Sequence, residues 1–227
     1  MAILTPKTFT SGEVLTASDV NAYLRGGYMG SVYYTSSGTF TKATYPWLKA
    51  IRVKCQGAGG GGGNRATSGD CASGGGGGAL AESFITDIAG LAASETVTVG
   101  AGGTGKSAGS QGEGTAGGTS SFGTLVIGAA GQGTAGNATL GGAAGVVGSC
   151  TGDVAFSGGD GNPGSGLGDF GGGNGGSSPL GGGGRAGRAG GNAGSAGNLY
   201  GGGGGGSTVD NAGGDGADGI VIVELYA

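Results

Sequence analysis

The chain has 227 residues, 67 of which are glycine, roughly four times the share found in an average protein. This composition excludes the ordinary packed core of a globular enzyme. The formal net charge is −4 and there is no histidine, so the chain has no basic excess for binding nucleic acid and lacks the commonest general base and metal ligand. We therefore expect a protein that is not an enzyme, has no cofactor and does not bind nucleic acid.

Two glycine-rich classes are also excluded by the sequence. Four prolines and runs such as 59–63 break the strict triplet of collagen. A disordered linker would be poor in β-branched and aromatic residues throughout, whereas here these residues form short blocks. The longest aliphatic run, 220–223, is far shorter than the roughly 20 residues of a membrane helix. We expect no membrane span, and residues 1–25 show no export signal.

Residues 1–30 contain few glycines and predict a separate N-terminal segment. Thr16 to Asp19 can cap a helix, after which Val20, Tyr23 and Leu24 recur at helical spacing. A short isolated helix is marginal in water, because most of its stability comes from packing its apolar face. We therefore expect this short helix to dock onto a partner.

From Ser31 onward the pattern is typical of β-structure. Residues 32–35 and 39–42 flank a Ser-Ser-Gly turn and predict a hairpin, and residues 48–55 alternate charged with apolar side chains. Further predicted strands are 80–85, 95–99, 121–127 and 219–226. Since sheet-forming residues occur at both ends of this region, these strands can form one sheet or a sandwich. We predict a domain over 31–227, with a β framework drawn from 31–56, 80–99, 121–127 and 219–226.

The glycine-rich stretches between these strands often repeat every three residues, as at Gly184, Gly187 and Gly190. Three residues per turn is the period of the polyproline II helix, which has no internal hydrogen bonds. Such glycine helices become stable when they pack side by side, because their N–H and C=O groups then bond to neighbours. The predicted fold is therefore mainly β, with a bundle of polyglycine II helices inserted between strands.

Several blocks occur in an order that resembles a known family. They are Gly38–Thr41, the strand leading into 56–62, Thr96–Gly103, Gly118–Gly123 and the C-terminal 216–226. This succession resembles the glycine-rich domain of bacteriophage tail fibres and minor tail proteins, and residues 9–24 look like the leader of minor tail proteins from phages of Actinobacteria.

The resemblance implies a virion protein at the phage tail or tail tip, often a homotrimer, which presents its glycine-rich domain to a bacterial envelope receptor. It implies contact with other phage tail proteins through the leader, for which the candidate residues are Phe9, Val14, Leu15, Val20, Tyr23 and Leu24. The alternative is a purely structural virion component, such as a spacer, plug or decoration, which touches no receptor.

Two kinds of residue are candidates for receptor contact. Arg185 and Arg188, three apart, would share one edge of a three-residue helix and could hold anionic glycan or lipid head groups; the alternative is a solvated outward face. Large apolar residues also interrupt the glycine stretches, and they either cap the bundle, pack between subunits or contact the receptor. These residues are Phe156, Phe170, Leu180, Leu199 and Tyr200.

Three further motifs favour simpler interpretations. Residues 100–107 match the phosphate-binding pattern G-x-x-x-x-G-K-[ST] around Lys106, but a glycine-rich stretch follows where that motif needs a helix. Asp210, Asp215 and Asp218 could form a weak cation site, but they match one calcium-binding repeat only, and we expect a solvated acidic turn. Cys55, Cys71 and Cys150 lack metal-binding spacing; a Cys55–Cys71 disulfide is one option, and a buried Cys55 thiol is the other.

Overall fold

The computed structural model describes residues 12, 14, 16, 27–65, 71–134, 140–165, 171–188, 191–208 and 210–227. Nine β-strands lie in this part of the chain. They are β1 Tyr28–Tyr34, β2 Gly38–Thr41, β3 Ala50–Gln56, β4 Leu80–Ile85, β5 Ser94–Thr98, β6 Ser120–Phe122, β7 Val126–Gly128, β8 Val154–Phe156 and β9 Ile220–Tyr226.

The strands form two antiparallel sheets. The first has the order β1-β9-β3-β4-β8 and the second has the order β2-β5-β6-β7. The C-terminal strand β9 lies between β1 and β3, with Val223 opposite both Val32 and Val53. Strands from both ends of the described region 27–227 therefore lie side by side in one sheet, and the expectation of a mainly β fold is confirmed.

A hydrophobic core lies between the two sheets. The first sheet contributes Ile51, Val53 and Val223, and the second contributes Phe40 and Phe122, all of them buried. On β3, buried residues alternate with Arg52 and Lys54, as the sequence pattern predicted, because successive side chains of a strand point to opposite faces. The result is a small sandwich with one core.

The strands differ from the sequence predictions in four details. The predicted hairpin of 32–35 with 39–42 does not form, since β1 pairs with β9 and β2 pairs with β5. Residues 121–127 are two strands, β6 and β7, joined by a turn in which Gly123 has a φ of +52°. Strand β8, at the edge of the first sheet, was not predicted. Strand β1 also begins at Tyr28, inside the predicted N-terminal segment.

Helical structure is nearly absent from the described residues. It is limited there to two three-residue 3₁₀ turns, Lys42–Thr44 and Val147–Ser149. The predicted N-terminal helix falls almost wholly outside the described residues, and no helix within them is long and apolar enough to cross a membrane.

Glycine-rich tracts make up most of the other described residues from 57 onward and extend from one end of the sandwich. Strand β3 runs directly into tract 57–64, tract 71–79 runs directly into β4, and tract 211–219 runs directly into β9. The other tracts are 100–106, 112–119, 129–134, 141–146, 157–165, 171–177, 183–188, 194–198 and 201–208. We call these tracts together the glycine bundle.

Backbone hydrogen bonds join the tracts with a three-residue repeat, as tract 57–64 illustrates. Every third N–H group from Gly57 donates to tract 71–79, and every third N–H group from Ala58 donates to tract 112–119. The N–H groups of Gly59 and Gly62, which are also three residues apart, donate to tract 211–219. The N···O distances are 2.8 to 3.1 Å, within the normal range for such bonds. Each tract is therefore bonded in several directions, unlike a strand in a sheet.

Tract 71–79 has six neighbours. It donates hydrogen bonds to tracts 129–134, 157–165 and 201–208, and its carbonyl groups accept hydrogen bonds from tracts 57–64, 141–146 and 171–177. The tract is buried along its whole length. Most of its backbone polar groups are thus bonded to other tracts without water, as burial requires.

The close approach of the tracts requires glycine. A Cβ atom placed on Gly75 would overlap the carbonyl oxygen of Gly60, and one placed on Gly203 would overlap the carbonyl oxygen of Gly75. Removing these overlaps would require the backbone to move, because the obstructing atoms belong to the main chain. The glycine content therefore follows from the spacing of the tracts.

We predict that Gly158→Ala destabilises the fold and that Gly159→Ala does not. A Cβ on Gly158 would overlap the carbonyl oxygen of Gly77, whereas the nearest atoms to a Cβ on Gly159 lie at ordinary contact distances of 3.4 to 3.5 Å. Overpacking of this kind costs about 1–3 kcal/mol, which lowers the Tm of a chain this long by roughly 2–12 °C. Calorimetry of both variants checks the prediction, and equal melting temperatures would contradict the close-packing argument.

Candidate functional site

The N-terminal segment and the glycine bundle join the sandwich at different ends. Strand β9 leaves the glycine bundle at Ile220 and ends at Tyr226, which pairs with Tyr28 at the start of β1. The amide of Ala227 then donates to the carbonyl of Gly27. Residues 1–26 therefore join the domain at the end of the sandwich opposite the bundle.

Neighbouring tracts also meet at the bundle end farthest from the sheets, which we call the free end. There Asn64 bridges Gly112, and the amide of Asp210 donates to the carbonyl of Arg65 at 2.9 Å. The amide of Cys71 donates to the carbonyl of Ser165 at the same end. The receptor-contact candidate Phe170 lies outside the described residues.

Arg185 and Arg188 line one groove on the side of the bundle, which we call the arginine groove. Its volume is about 600 Å³, and tracts 171–177 and 183–188 form its walls. Both arginine side chains are exposed, with Arg188 at the end of its tract toward the free end. Across the groove, the amide of Ala186 donates to Asn174 Oδ1 at 2.8 Å. The structure therefore places both arginines at one polar groove.

The apolar candidates lie elsewhere. Leu180, Leu199 and Tyr200 belong to two adjoining turns next to the sheets, where the Ser178 hydroxyl donates to the carbonyl of Tyr200. Leu199 is 62% exposed, and Phe156, on β8, is 52% exposed. These side chains are thus at the end of the bundle beside the sandwich, and the candidates form more than one surface.

The outer face of the first sheet carries exposed aromatic rings that the sequence reasoning missed. Tyr33 is 63% exposed, and the ring of Tyr226 makes edge contacts with Tyr28 and Phe84 at centroid distances of 6.0 and 5.5 Å. The alternation of side chains along β1 and β4 could have predicted this surface, since it assigns Tyr33 and Phe84 to the face opposite the core.

Charged residues on this outer face are paired with one another. Lys54 Nζ lies 2.6 Å from Glu224 Oε1, and Arg52 forms an ion pair with Glu82. Burial acts to raise the pKa of Glu224, but hydrogen bonds from Lys54 and Tyr226 outweigh it and leave that pKa below its usual value. The four charges therefore cancel on this face.

The phosphate-binding pattern around Lys106 adopts a different geometry from a nucleotide site. Residues 107–119 include no helix, and the amides of Gly103 and Lys106 donate to the carbonyls of Gly59 and Gly62. A phosphate would need such amides to be free at a helix N-terminus. In this segment they are already bonded to tract 57–64.

The three candidate aspartates each accept a hydrogen bond from a backbone amide. Asp218 Oδ1 accepts from Gly102 and Asp215 Oδ1 accepts from Gly105, both at 2.7 Å, and Asp210 Oδ1 accepts from Gly109 at 2.9 Å. They follow the edge of tract 100–106 and the turn beyond it. In the described residues no three acidic or other ligating side chains gather closely enough to hold a metal ion.

Comparison with known proteins identifies the family. A family model described as a glycine-rich domain matches residues 35–226. The chain belongs to this glycine-rich domain family. No curated protein matches the chain. The match begins within the β1–β2 connection and ends at the last residue of β9, so the family covers almost all of the sandwich together with the glycine bundle.

The tail-attachment candidates lie before the matched glycine-rich domain. Val14 is 80% exposed. Phe9, Leu15, Val20, Tyr23 and Leu24 lie outside the described residues.

All three cysteines of the glycine-rich domain are free thiols. Cys55 is buried in the sandwich core, as one of the two sequence interpretations held, and burial raises the pKa of its thiol to about 12. Cys71 is also buried, whereas Cys150 is partly exposed. The thiols therefore differ in their access to solvent.

We predict that only Cys150 reacts rapidly with a thiol reagent in the folded domain at pH 8. Thiolate is the reactive form, and Cys55 stays protonated far above this pH. Counting modified thiols before and after adding denaturant checks this, with one expected in the folded state and three in the unfolded state. If the folded Cys150→Ser variant were still labelled rapidly, the assignment of the reactive thiol to Cys150 would be wrong.

We predict that Asp218→Ala lowers the free energy of unfolding by about 0.5–1.5 kcal/mol, because it removes the exposed hydrogen bond that the amide of Gly102 donates to Asp218. Asp218→Asn is the matched control, since its amide oxygen can still accept this bond. Chemical denaturation of both variants measures the difference. If Asn destabilised as much as Ala, the carboxylate charge would matter more than the hydrogen bond.

Proposed function

We propose that this protein is a minor tail or tail-tip component of a bacteriophage virion that uses its glycine-rich domain to recognise the surface of a bacterial host. The observation that carries the proposal is the polarity of the molecule. Residues 1–26 join at one end of the sandwich, and the glycine bundle extends from the other. Attachment and recognition are therefore assigned to opposite ends.

The proposal extends to the conformation of the tracts. We infer that they are polyglycine II helices, because their backbone hydrogen bonds repeat every three residues and reach neighbours in several directions. Preordered tracts would hold the recognition surface rigid, which reduces the entropy lost on binding.

We further propose that the protein acts as a homotrimer in the virion. Weak individual sites would then gain avidity from their high effective concentration. The leader resemblance of residues 9–24 supports attachment to other tail proteins, with Phe9, Val14, Leu15, Val20, Tyr23 and Leu24 as contact candidates.

A purely structural virion component is the second candidate. The exposed aromatic rings on the outer face of the first sheet favour it, because a neutral face that carries large apolar side chains suits packing against another protein. In that case the bundle would serve as a stiff spacer or plug, and no receptor would be contacted.

Binding of the purified, fluorescently labelled full chain to a panel of actinobacterial strains distinguishes the two candidates. We predict saturable binding to some strains, and a solution mass equal to three chains. Binding should fall at least tenfold when excess unlabelled protein competes. A folded protein that binds no strain in the panel would favour the structural role, and a monomeric mass would contradict the trimer.

A further inference from the structure

The arginine groove occupies a position in the glycine bundle where a neighbouring tract is missing. Tracts 171–177 and 183–188 bond to each other, because Gly172 donates to Gly187 and Gly175 donates to Gly184. On their inner side both bond to tract 201–208. On the outer side the same two tracts border the open groove. The groove is therefore elongated along the tracts and has backbone walls.

Hydrogen-bond acceptors are available along one wall. Gly172 and Gly175 line the groove, and their carbonyl oxygens accept no hydrogen bond from any described residue. Asn174 uses its Oδ1 to accept from Ala186, which leaves its Nδ2 group as a donor. A ligand with hydroxyl groups can donate to these carbonyls and accept from this amide.

Cationic donors lie along the other wall. Arg185 and Arg188 are exposed, and within the described chain neither guanidinium group has an ion pair or hydrogen bond. At about 3.1 Å per residue in a three-residue helix, their positions are separated by roughly 9 Å along the tract. Each guanidinium can bind one carboxylate or phosphate with paired hydrogen bonds.

We propose that the arginine groove binds a linear acidic polysaccharide, with sugar hydroxyls donating to the carbonyls of Gly172 and Gly175 and acidic groups paired with Arg185 and Arg188. Such a polymer combines hydroxyl donors with negative charges at a regular spacing, and both features have partners in the groove. This inference rests on the proposed role in host recognition and names the ligand chemistry for it.

A nucleic acid lacks comparable support. The lining of the groove contains no aromatic side chain on which bases could stack, and the net charge of the whole chain is −4. The groove therefore suits a hydroxyl-rich acidic chain better than a single-stranded nucleic acid.

The test uses the full chain and four soluble polymers. Hyaluronate carries hydroxyls and one carboxylate per disaccharide, dextran carries hydroxyls alone, polyaspartate carries charge without hydroxyls, and single-stranded oligonucleotide tests the excluded class. We expect hyaluronate to bind at least tenfold more tightly than the other three in calorimetry at low salt. No measurable binding of hyaluronate, or equal binding of polyaspartate, would overturn the proposal.

Two variants examine the groove directly. Arg185→Ala/Arg188→Ala should weaken hyaluronate binding at least tenfold, whereas Lys49→Ala/Lys106→Ala, which removes the same charge elsewhere, should change it less than threefold. Asn174→Asp keeps the acceptor for Ala186 but removes the donor and adds negative charge, so it should also weaken binding about tenfold with an unchanged Tm. Equal effects of the two double variants would overturn the assignment to this groove.

The outcomes for ligand and function are separable. If the arginine variant loses hyaluronate but still binds host cells, host recognition stands, the groove keeps its ligand chemistry, and its assignment as the receptor site is overturned. If hyaluronate binds as expected while no strain in the panel does, the groove retains its ligand chemistry and the structural role is favoured over host recognition.

Discussion

The close approach of backbone to backbone is the constraint on which this structure depends. Where tract 71–79 is surrounded by six others, each neighbour must come near enough for direct N–H to C=O bonding, and there is no room for a Cβ at Gly75 or Gly203. Stability in this region therefore comes from extensive backbone hydrogen bonding and main-chain contact. Burial of large apolar side chains, which stabilises most domains, is concentrated in the sandwich, where Ile51, Phe40 and Phe122 form the core with their neighbours.

The sandwich makes such a bundle possible. Ordering glycine costs more conformational entropy than ordering any other residue, so isolated tracts would not stay aligned. Strands β3, β4 and β9 are adjacent in one sheet, and each continues directly into or out of a tract, which holds tracts 57–64, 71–79 and 211–219 in fixed register. The edges of the bundle are completed by side chains instead of further tracts. Asp215 and Asp218 accept from tract 100–106, and Asn174 accepts from Ala186, so each supplies an acceptor where a neighbouring carbonyl is missing.

Sequence reasoning recovered the strands better than it recovered their partners. Alternation marked 80–85 as a strand, and β4 occupies those residues because they have one buried and one outer face. Alternation does not indicate which sheet a strand joins. The turn at Ser36–Gly38 was therefore predicted to close a hairpin, whereas the chain passes there from the first sheet to the second. Strand β8 is only three residues long and lies among glycines, which leaves too little periodicity to detect. The pairing of the tracts was beyond reach, since shifting a glycine repeat by three residues leaves an almost identical sequence.

The candidate site was predicted only in part, because its residues come from two tracts whose pairing the sequence does not indicate. The spacing of three residues predicted that Arg185 and Arg188 lie on one side of a tract, because it depends on the conformation of that tract alone. Both residues do line one groove. Asn174, Gly172 and Gly175 could not be assigned to that groove from sequence, since they belong to a different tract whose position is fixed by tertiary hydrogen bonds. A bundle whose interior is nearly pure backbone leaves chemical variety only at its edges and turns. Differences in surface chemistry among such domains should therefore arise from the few side chains placed there, while the glycine interior stays constrained by contact between main chains.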